Sequence, residues 1–538
     1  MATFSDVMQM ERKEILKKLT LEEYRDKVMG CWAGKNIGGI LGAPFESKRQ
    51  VNHADFYQQD LTMGPPPNDD LDLQIVWLSA IERYGRLVNA SILGEYWLSF
   101  VIPNWVEYGT GKANLRAGLE PPISGCLDNP YKDSNGCWIR SEIWACLAPG
   151  HPEIATRYAH EDAIVDHADE GMYGEIFTAA LESAAFVEND TNTLLEIALS
   201  YVPEDSALTR AVRTAMSCYQ EGVPFLEARK RIHNSAPGTF GIQSIRLQDI
   251  DREDNEGMEI GAAGFDCPEN IGFLVAGWLY GEDDFGKSLC LANSCGEDTD
   301  CTCGTLGAIF GIQRGAKALP EKWTAPVGDR IATMCIDRTT DGIWIPDTVT
   351  ELTDRVIRDL PLFLGQKYCD ILDPSGLAVY CLEEKDLWCA RGEDYLKDIN
   401  GNGKSEELPV RELCALSPFC VRREYPSFSV ILDYQGSVHF CADRTKELRV
   451  RVRNVNRMHQ QQWVKITIYL PDGSEAIGGS SVQLPLNNNY LSEAETTFRI
   501  DASAYRDAVL EGVIDVSLVG RHSSGDIKFL LTRELRKE

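Results

Sequence analysis

The sequence predicts an α+β multidomain protein, with a large all-α domain followed by a smaller β-sandwich domain. Two textures carry that prediction. Through the first two-thirds of the chain apolar residues recur three and four positions apart, whereas from Ser427 onward they alternate with polar ones. With 538 residues, 43% of them hydrophobic, the chain can build one large core and a second smaller one.

Helical spacing runs over Tyr24–Leu41, Leu71–Tyr84, Glu153–Asp166, Gly174–Val187, Ala207–Gln220 and Phe225–His233. Clusters such as Gly64-Pro65-Pro66-Pro67 and Glu120-Pro121-Pro122 punctuate it. Ile271–Tyr280, Leu289–Ala292 and Leu306–Gly311 are apolar nearly all round, which places them at the centre of a bundle. Strand alternation covers Ser427–Tyr434, Glu447–Arg453, Val464–Leu470, Thr497–Ile500 and Val513–Val519, with Pro471-Asp472-Gly473 as a turn between runs. The expected domains are 20–365 and 426–538, joined by a linker or clasp over 366–425.

Lys and Arg number 53 against 82 Asp and Glu, a net charge of −29, which argues against nucleic acid or an anionic membrane as the partner. Met1–Lys18 carries scattered charge and no apolar run, so it does not read as a secretory signal. Ile271–Gly281 and Cys301–Gln313 fall short of the roughly 18 apolar residues a membrane helix needs. A soluble, cytoplasmic protein is expected. Seventeen cysteines, an odd number, fit reduced thiols better than a disulfide framework. Cys301-Thr302-Cys303, with Cys295 upstream, lacks the spacing of a zinc site and reads as small side chains in helix packing.

Three acidic constellations could carry chemistry: Asn68-Asp69-Asp70-Leu71-Asp72 at the start of an amphipathic helix, Glu297-Asp298-Thr299-Asp300 before an apolar one, and Glu46 just after the Gly-rich segment Gly30–Gly42. Helix capping accounts for one carboxylate in each run, not for several. Carboxylates gathered near a core repel one another unless protonated or neutralised by a cation. An oxygen-rich set suits Mg²⁺, Mn²⁺ or Ca²⁺ better than Zn²⁺. Asp398, Asn400, Asn402 and Gly403 mimic the first half of a calcium loop, but Pro409 replaces its twelfth-position Glu, and an Asn-Gly turn is the simpler reading. His160 and His167 lie among Asp162, Asp166 and Asp169, with no Ser-His-Asp order evident. No Walker loop or dinucleotide fingerprint is present.

The order of these motifs resembles the ADP-ribosylglycohydrolase family. The resemblance rests on Gly42-Ala43-Pro44-Phe45-Glu46, on Asn68-Asp69-Asp70-Leu71, and on Asn135-Gly136-Cys137-Trp138-Ile139-Arg140. It continues with Asp166-His167 before Gly171–Gly174, and with Asp298-Thr299-Asp300 opening a small-residue helix that leads to Pro320. It runs from about Tyr24 to Trp323 and leaves the β-rich tail outside. The resemblance implies an all-α fold with a binuclear Mg²⁺ or Mn²⁺ site held by Asp69, Asp70, Asp298 and Asp300. Asn68, standing where the family has Thr, is expected as a further oxygen ligand. Glu46 is expected near metal and substrate, with Asp70 and Asp300 sharing the catalytic work, and Asn135, Gly136 and His167 lining the substrate pocket. Where the family has further threonines this chain has Leu71 and Cys301; Asp72 and Thr302 are the nearby oxygen substitutes.

The expected activity is metal-dependent hydrolysis of a glycosidic bond at an anomeric carbon, on an ADP-ribosyl or related small-molecule or protein-borne substrate. A different glycoside or nucleoside is the second reading, with a glycan as possible partner of the appended domain. A non-catalytic lectin-like or crystallin-like protein is the third. ADP-ribose would need a cation such as Arg140, whereas a neutral sugar would need aromatic platforms among Trp97, Trp105, Trp138 and Trp144.

Overall fold

The computed structural model describes residues 16–236, 264–339, 342–389, 409–454, 461–488 and 492–533. The calcium-like turn at 398–406 lies outside them. The described chain forms two compact units: 16–112, 128–236, 264–339, 342–389 and 409–414 in the first, 113–127, 415–454, 461–488 and 492–533 in the second.

Among the described residues, helices of ten residues or more are α1 (Leu21–Gly42), α2 (Asp69–Tyr84), α3 (Ala90–Phe100), α4 (Val106–Arg116), α5 (Pro152–Ala163), α6 (Asp169–Ala185) and α7 (Thr191–Ser200). They continue as α8 (Ala207–Gln220), α9 (Phe225–Ser235), α10 (Cys267–Gly281), α11 (Phe285–Ser294), α12 (Thr299–Arg314) and α13 (Val349–Phe363). α1 opens with a capping box: the Thr20 hydroxyl accepts from the Glu23 amide while the Glu23 carboxylate accepts from the Thr20 amide. A small antiparallel sheet of β1 (Lys17–Thr20), β2 (Cys369–Asp370) and β3 (Ala378–Cys381) pairs Leu19 with Val379 and Cys369 with Val379. Of the three segments expected to be apolar on all sides, those in α10 and α12 are buried along nearly their whole length, whereas Leu289–Ala292 in α11 leaves Cys290 and Leu291 partly exposed.

The centre of the helical unit is the α1–α12 pair. Gly30, Gly34, Gly38 and Gly42 recur every fourth residue, so they line one face of α1. That face meets the backbone of α12. A Cβ on Gly34 would lie 1.9 Å from the Gly307 carbonyl oxygen, one on Gly38 1.9 Å from that of Cys303, and one on Gly42 2.2 Å from that of Thr299. Side chains larger than hydrogen are excluded, and the helix ends that carry Glu46 and Asp300 are brought together.

In the second unit, β4 (Cys420–Glu424), β5 (Phe428–Asp433), β6 (Thr445–Asn454), β10 (Glu493–Asp501) and β8 (Glu475–Ile477) form one antiparallel sheet in that spatial order. β12 (Ser524–Thr532), β11 (Val509–Leu518), β7 (Gln462–Tyr469) and β9 (Ser481–Leu486) form another. Alternate residues turn inward, Leu448, Val450 and Val452 from β6 and Val464, Ile466 and Ile468 from β7, and they meet in one hydrophobic core. Leu119 and Ile123 belong to that core, and Glu120 pairs with Arg423 at 2.8 Å. Burying each such Leu or Ile contributes about 1.5–3 kcal/mol.

All 17 cysteines are free thiols, most of them buried. Among the described residues no helix is long and apolar enough to cross a membrane.

Candidate metal centre

Two helix starts and one helix end build the site. α2 begins after Gly64-Pro65-Pro66-Pro67, with Asn68 as its N-cap: Asn68 Oδ1 accepts from the Asp70 amide at 2.8 Å. One carboxylate oxygen of Asp69 accepts from the Tyr108 hydroxyl at 3.3 Å. α12 begins after two residues in the left-handed region, Gly296 and Glu297 (φ +79° and +66°). That backbone is unfavourable for Glu, and it is held by pairing with the chain that follows Glu46. Ser47 donates to the Glu297 carbonyl at 2.9 Å, and the Glu297 amide donates to the Lys48 carbonyl at 3.0 Å. The Arg49 guanidinium pairs with the Glu297 carboxylate and also reaches Glu269. The Asp298 amide donates to Asn270 Oδ1 at 3.1 Å, and Asn135 Nδ2 donates to Asp298 Oδ2 at 2.9 Å.

Ligating atoms of Glu46, Asp298 and Asp300 all lie within 4.8 Å of one another, as do those of Asp70, Asp300 and Cys301. Asp300 belongs to both groups. Asp70, Asp298 and Asp300 are buried, and each keeps one carboxylate oxygen without a hydrogen-bond partner: Asp70 Oδ2, Asp298 Oδ1 and Asp300 Oδ1. The Lys35 ammonium lies 3.5 Å from Asp70 Oδ2 but is engaged more closely by Glu142 at 2.8 Å and by the Ile139 carbonyl at 2.7 Å. One shared cation does not neutralise Asp69, Asp70, Asp298, Asp300 and Glu46.

The electrostatics of the cluster carry the same imbalance. Burial, and then the Glu46 charge, push the Asp300 carboxyl up to about 7. Burial, and then the charge of Asp300, hold Asp298 well above the carboxylate range. Burial raises Asp70 against the opposing pull of Lys35. Glu46 is exposed at the edge of the cluster, yet partial desolvation and the charges of Asp69 and Asp70 push it up to about 7. Orphaned buried oxygens on converging carboxylates are the donor set a hard divalent cation takes, so the residues present fit such an ion.

The structure revises several sequence expectations. Asp72 does not stand in for the missing threonine hydroxyl at Leu71; its Oδ2 accepts from the amides of Met334 and Cys335, both at 2.6 Å. Thr302 is likewise spent inside the helix, donating to the Thr299 carbonyl at 3.2 Å. Cys301 is the residue that faces the carboxylates, its Sγ 3.7 Å from Asp70 Oδ1. Arg140 is fully buried, held by Asp162, Asp166 and the Gly136 carbonyl, and so is withheld from any diphosphate. Trp97, Trp138 and Trp144 are buried core residues, while Trp105 remains half exposed.

Asn135, Gly136 and His167 sit beside the centre. Trp138 Nε1 donates to Asn135 Oδ1 at 2.7 Å, which leaves the Asn135 amide nitrogen aimed at Asp298. A Cβ on Gly136 would meet Glu107 Oε1 at 1.9 Å, so a side chain there would require the buried Glu107 carboxylate to move. His167 is fully buried, with Nε2 3.0 Å from Ser134 Oγ and Nδ1 3.0 Å from Asp166 Oδ1. The Nδ1–Asp166 contact lacks hydrogen-bond geometry, so Ser134, His167 and Asp166 lack the connectivity of an acyl-transfer triad. All three are sealed from solvent and Asp166 is already paired with Arg140, so the chain of contacts braces the loop carrying Asn135. Lys35 and Tyr108 were not singled out from sequence. A lysine in the middle of a glycine-rich apolar helix was a signal for the first; nothing local marked the second.

Residues 20–358 match the family model described as ADP-ribosylglycohydrolase, well over half of the chain. No curated protein matches. Among solved structures, an ADP-ribosylglycohydrolase-related protein complex is 17% identical over 64% of this chain and 99% of its own, with a TM-score of 0.41. A FixG-related protein from Vibrio parahaemolyticus is 12% identical over 20% of this chain and 95% of its own, with a TM-score of 0.16. On the extent of the family match, the chain belongs to the ADP-ribosylglycohydrolase family.

Proposed function

We propose that the protein is a metal-dependent glycohydrolase that cleaves the bond at the anomeric carbon of an ADP-ribosyl or related ribosyl substrate. One observation carries this reading. Three buried aspartates, Asp70, Asp298 and Asp300, converge with an unpartnered oxygen each, inside the region that matches the family.

Two divalent ions, Mg²⁺ or Mn²⁺, would supply the neutralising charge and the Lewis acidity for substrate oxygens there. Asp69, Asp70, Asp298 and Asp300 would hold them, Asp300 belonging to both groups of ligating residues. Asn68 would be a further oxygen ligand at the start of α2, through the lone pair of Oδ1 that its cap to the Asp70 amide leaves. Glu46 stands at the solvent edge, where its carboxylate takes the proton of an attacking water. The remaining carboxylate charge favours an oxocarbenium-like centre as the bond to the leaving group lengthens. Asn135, by donating to Asp298 Oδ2, holds that carboxylate in one orientation, and the Gly136 turn and His167 shape the adjoining wall. The substrate is a small molecule or an ADP-ribosylated side chain; the net charge of −29 disfavours nucleic acid.

The test is calorimetric titration of the metal-loaded chain with ADP-ribose, repeated after chelation. Binding that disappears on chelation supports the reading. A chain that holds two ions and ignores ADP-ribose would redirect the search to other glycosides, and one that binds no divalent ion would overturn it.

A further inference from the structure

The two groups of ligating residues are chemically unequal. Glu46, Asp298 and Asp300 offer oxygen alone, whereas Asp70 and Asp300 are joined by the sulfur of Cys301. Cys301 is buried, as are both aspartates, and its thiol already points at Asp70 Oδ1, 3.7 Å away. Asp70 Oδ2 and Asp300 Oδ1 have no hydrogen-bond partner, and the Lys35 ammonium approaches Asp70 Oδ2 only to 3.5 Å, so poorly satisfied acceptors and a thiol are aimed into the same small volume. The Sγ of the nearby Cys303 turns instead to the Leu289 carbonyl at 3.4 Å, and its backbone packs on Gly38.

A thiolate sulfur is a soft donor, and Mg²⁺ binds it poorly; Co²⁺, Zn²⁺ and Cd²⁺ bind it well. We infer that the Asp70–Asp300–Cys301 position is a mixed oxygen–sulfur site that takes a thiophilic divalent cation in preference to Mg²⁺, while the Glu46–Asp298–Asp300 position keeps a hard one. On binding, the Cys301 S–H bond breaks, a sulfur lone pair is donated to the ion, and one proton is released to solvent. No oxidant or reductant takes part. The inference rests on the metal centre proposed above and adds which ion each half prefers.

The full chain, stripped with chelator, is titrated separately with Co²⁺ and Mg²⁺. Heat of binding and the near-ultraviolet sulfur-to-cobalt charge-transfer absorption are followed together. The wild type is expected to develop that absorption and saturate it at a single equivalent of Co²⁺. Cys301→Ser should lose it and bind Co²⁺ about tenfold or more weakly, with Mg²⁺ binding retained. Cys301→Thr, a second replacement that supplies a hydroxyl, should behave alike. Co²⁺ binding without a sulfur signature, or a signature that survives both substitutions, overturns the mixed site alone. No heat with either ion overturns the metal centre itself.

Discussion

The hydroxyl of Thr299 donates to the carbonyl of Gly42 at 2.8 Å, and a Cβ on Gly42 would lie 2.2 Å from the Thr299 carbonyl oxygen. The last turn of α1 and the first turn of α12 are therefore locked backbone to backbone. Glu46 lies four residues beyond the one, Asp300 one residue beyond the other. The geometry of the acidic cluster is set by how closely two helices approach, and glycine makes that approach possible.

Gly34→Ala tests this. Alanine would gain about 1 kcal/mol of helix propensity over glycine. Its Cβ, however, would meet the Gly307 carbonyl oxygen at 1.9 Å, a clash with backbone that cannot turn aside. Overpacking of this kind costs about 1–3 kcal/mol or more. Chemical denaturation should show a net loss of stability, and calorimetry a weaker divalent ion, because the helices must separate. Unchanged stability and affinity would contradict the locked interface.

Arg140→Met should be far more damaging than its apolar replacement suggests. The guanidinium is wholly buried between Asp162 and Asp166, and its removal strands two carboxylates in the core. Breaking a buried pair from one side costs about 3–5 kcal/mol. Adding Asp166→Asn to Arg140→Met should recover part of that loss in the denaturation midpoint, since it removes one of the stranded charges.

Much of the site was legible because both aspartate pairs sit at helix starts, where several undiluted carboxylates exceed what capping explains. The strands of the second unit were legible wherever alternation was strict, as in Leu448, Val450 and Val452. β9 was not, although Val482, Leu484 and Leu486 alternate, because Pro485 argues against a strand and is tolerated here only at the sheet edge. Leu119 and Ile123 lie in a core whose strands begin at Cys420, a long-range contact that local spacing cannot announce. Tyr108 was invisible for a related reason: its importance comes from its contact with Asp69 on another helix. Arg140, Trp97, Trp138 and Trp144 fitted the substrate chemistry by type, but the core had already used them.

His151 gives a pH dependence remote from the acidic cluster. Its Nε2–H donates to the Tyr380 carbonyl at 2.7 Å, and burial depresses its pKa to about 4 from an ordinary 6.5. Between those values the unfolded chain binds the extra proton and the native one does not, so stability falls as pH drops through that window. The shift corresponds to about 3 kcal/mol at most, fully lost only below its lower end. Denaturation midpoints for His151→Gln, measured from neutral pH to about pH 4, should show a correspondingly flatter acid slope; an unchanged slope would remove His151 as its source.

Asp300→Asn separates what the cluster does for function from what it does for stability. The carboxylate is shared by both ligating groups, so the substitution should abolish high-affinity divalent binding and, with it, turnover. Without metal the expected effect is the reverse of damage. Asp300 is ionised only against burial and the Glu46 charge, which raise its pKa to about 7. Between its ordinary pKa of 3.8 and that value the native state binds the proton that the unfolded chain has released, so metal-free stability declines as pH rises. Asparagine removes that decline. The chelated variant should be more stable than chelated wild type by about 1–4 kcal/mol above neutral pH. At about pH 4, where the wild-type Asp300 carboxyl is protonated and as neutral as the asparagine amide, the two should nearly coincide. Saturating Mn²⁺ should then invert the order, because only the wild type gains stability from the ion. A variant no more stable than wild type in chelator at high pH would mean that the cluster already holds its charge without a cation, which would remove the electrostatic argument for a metal there.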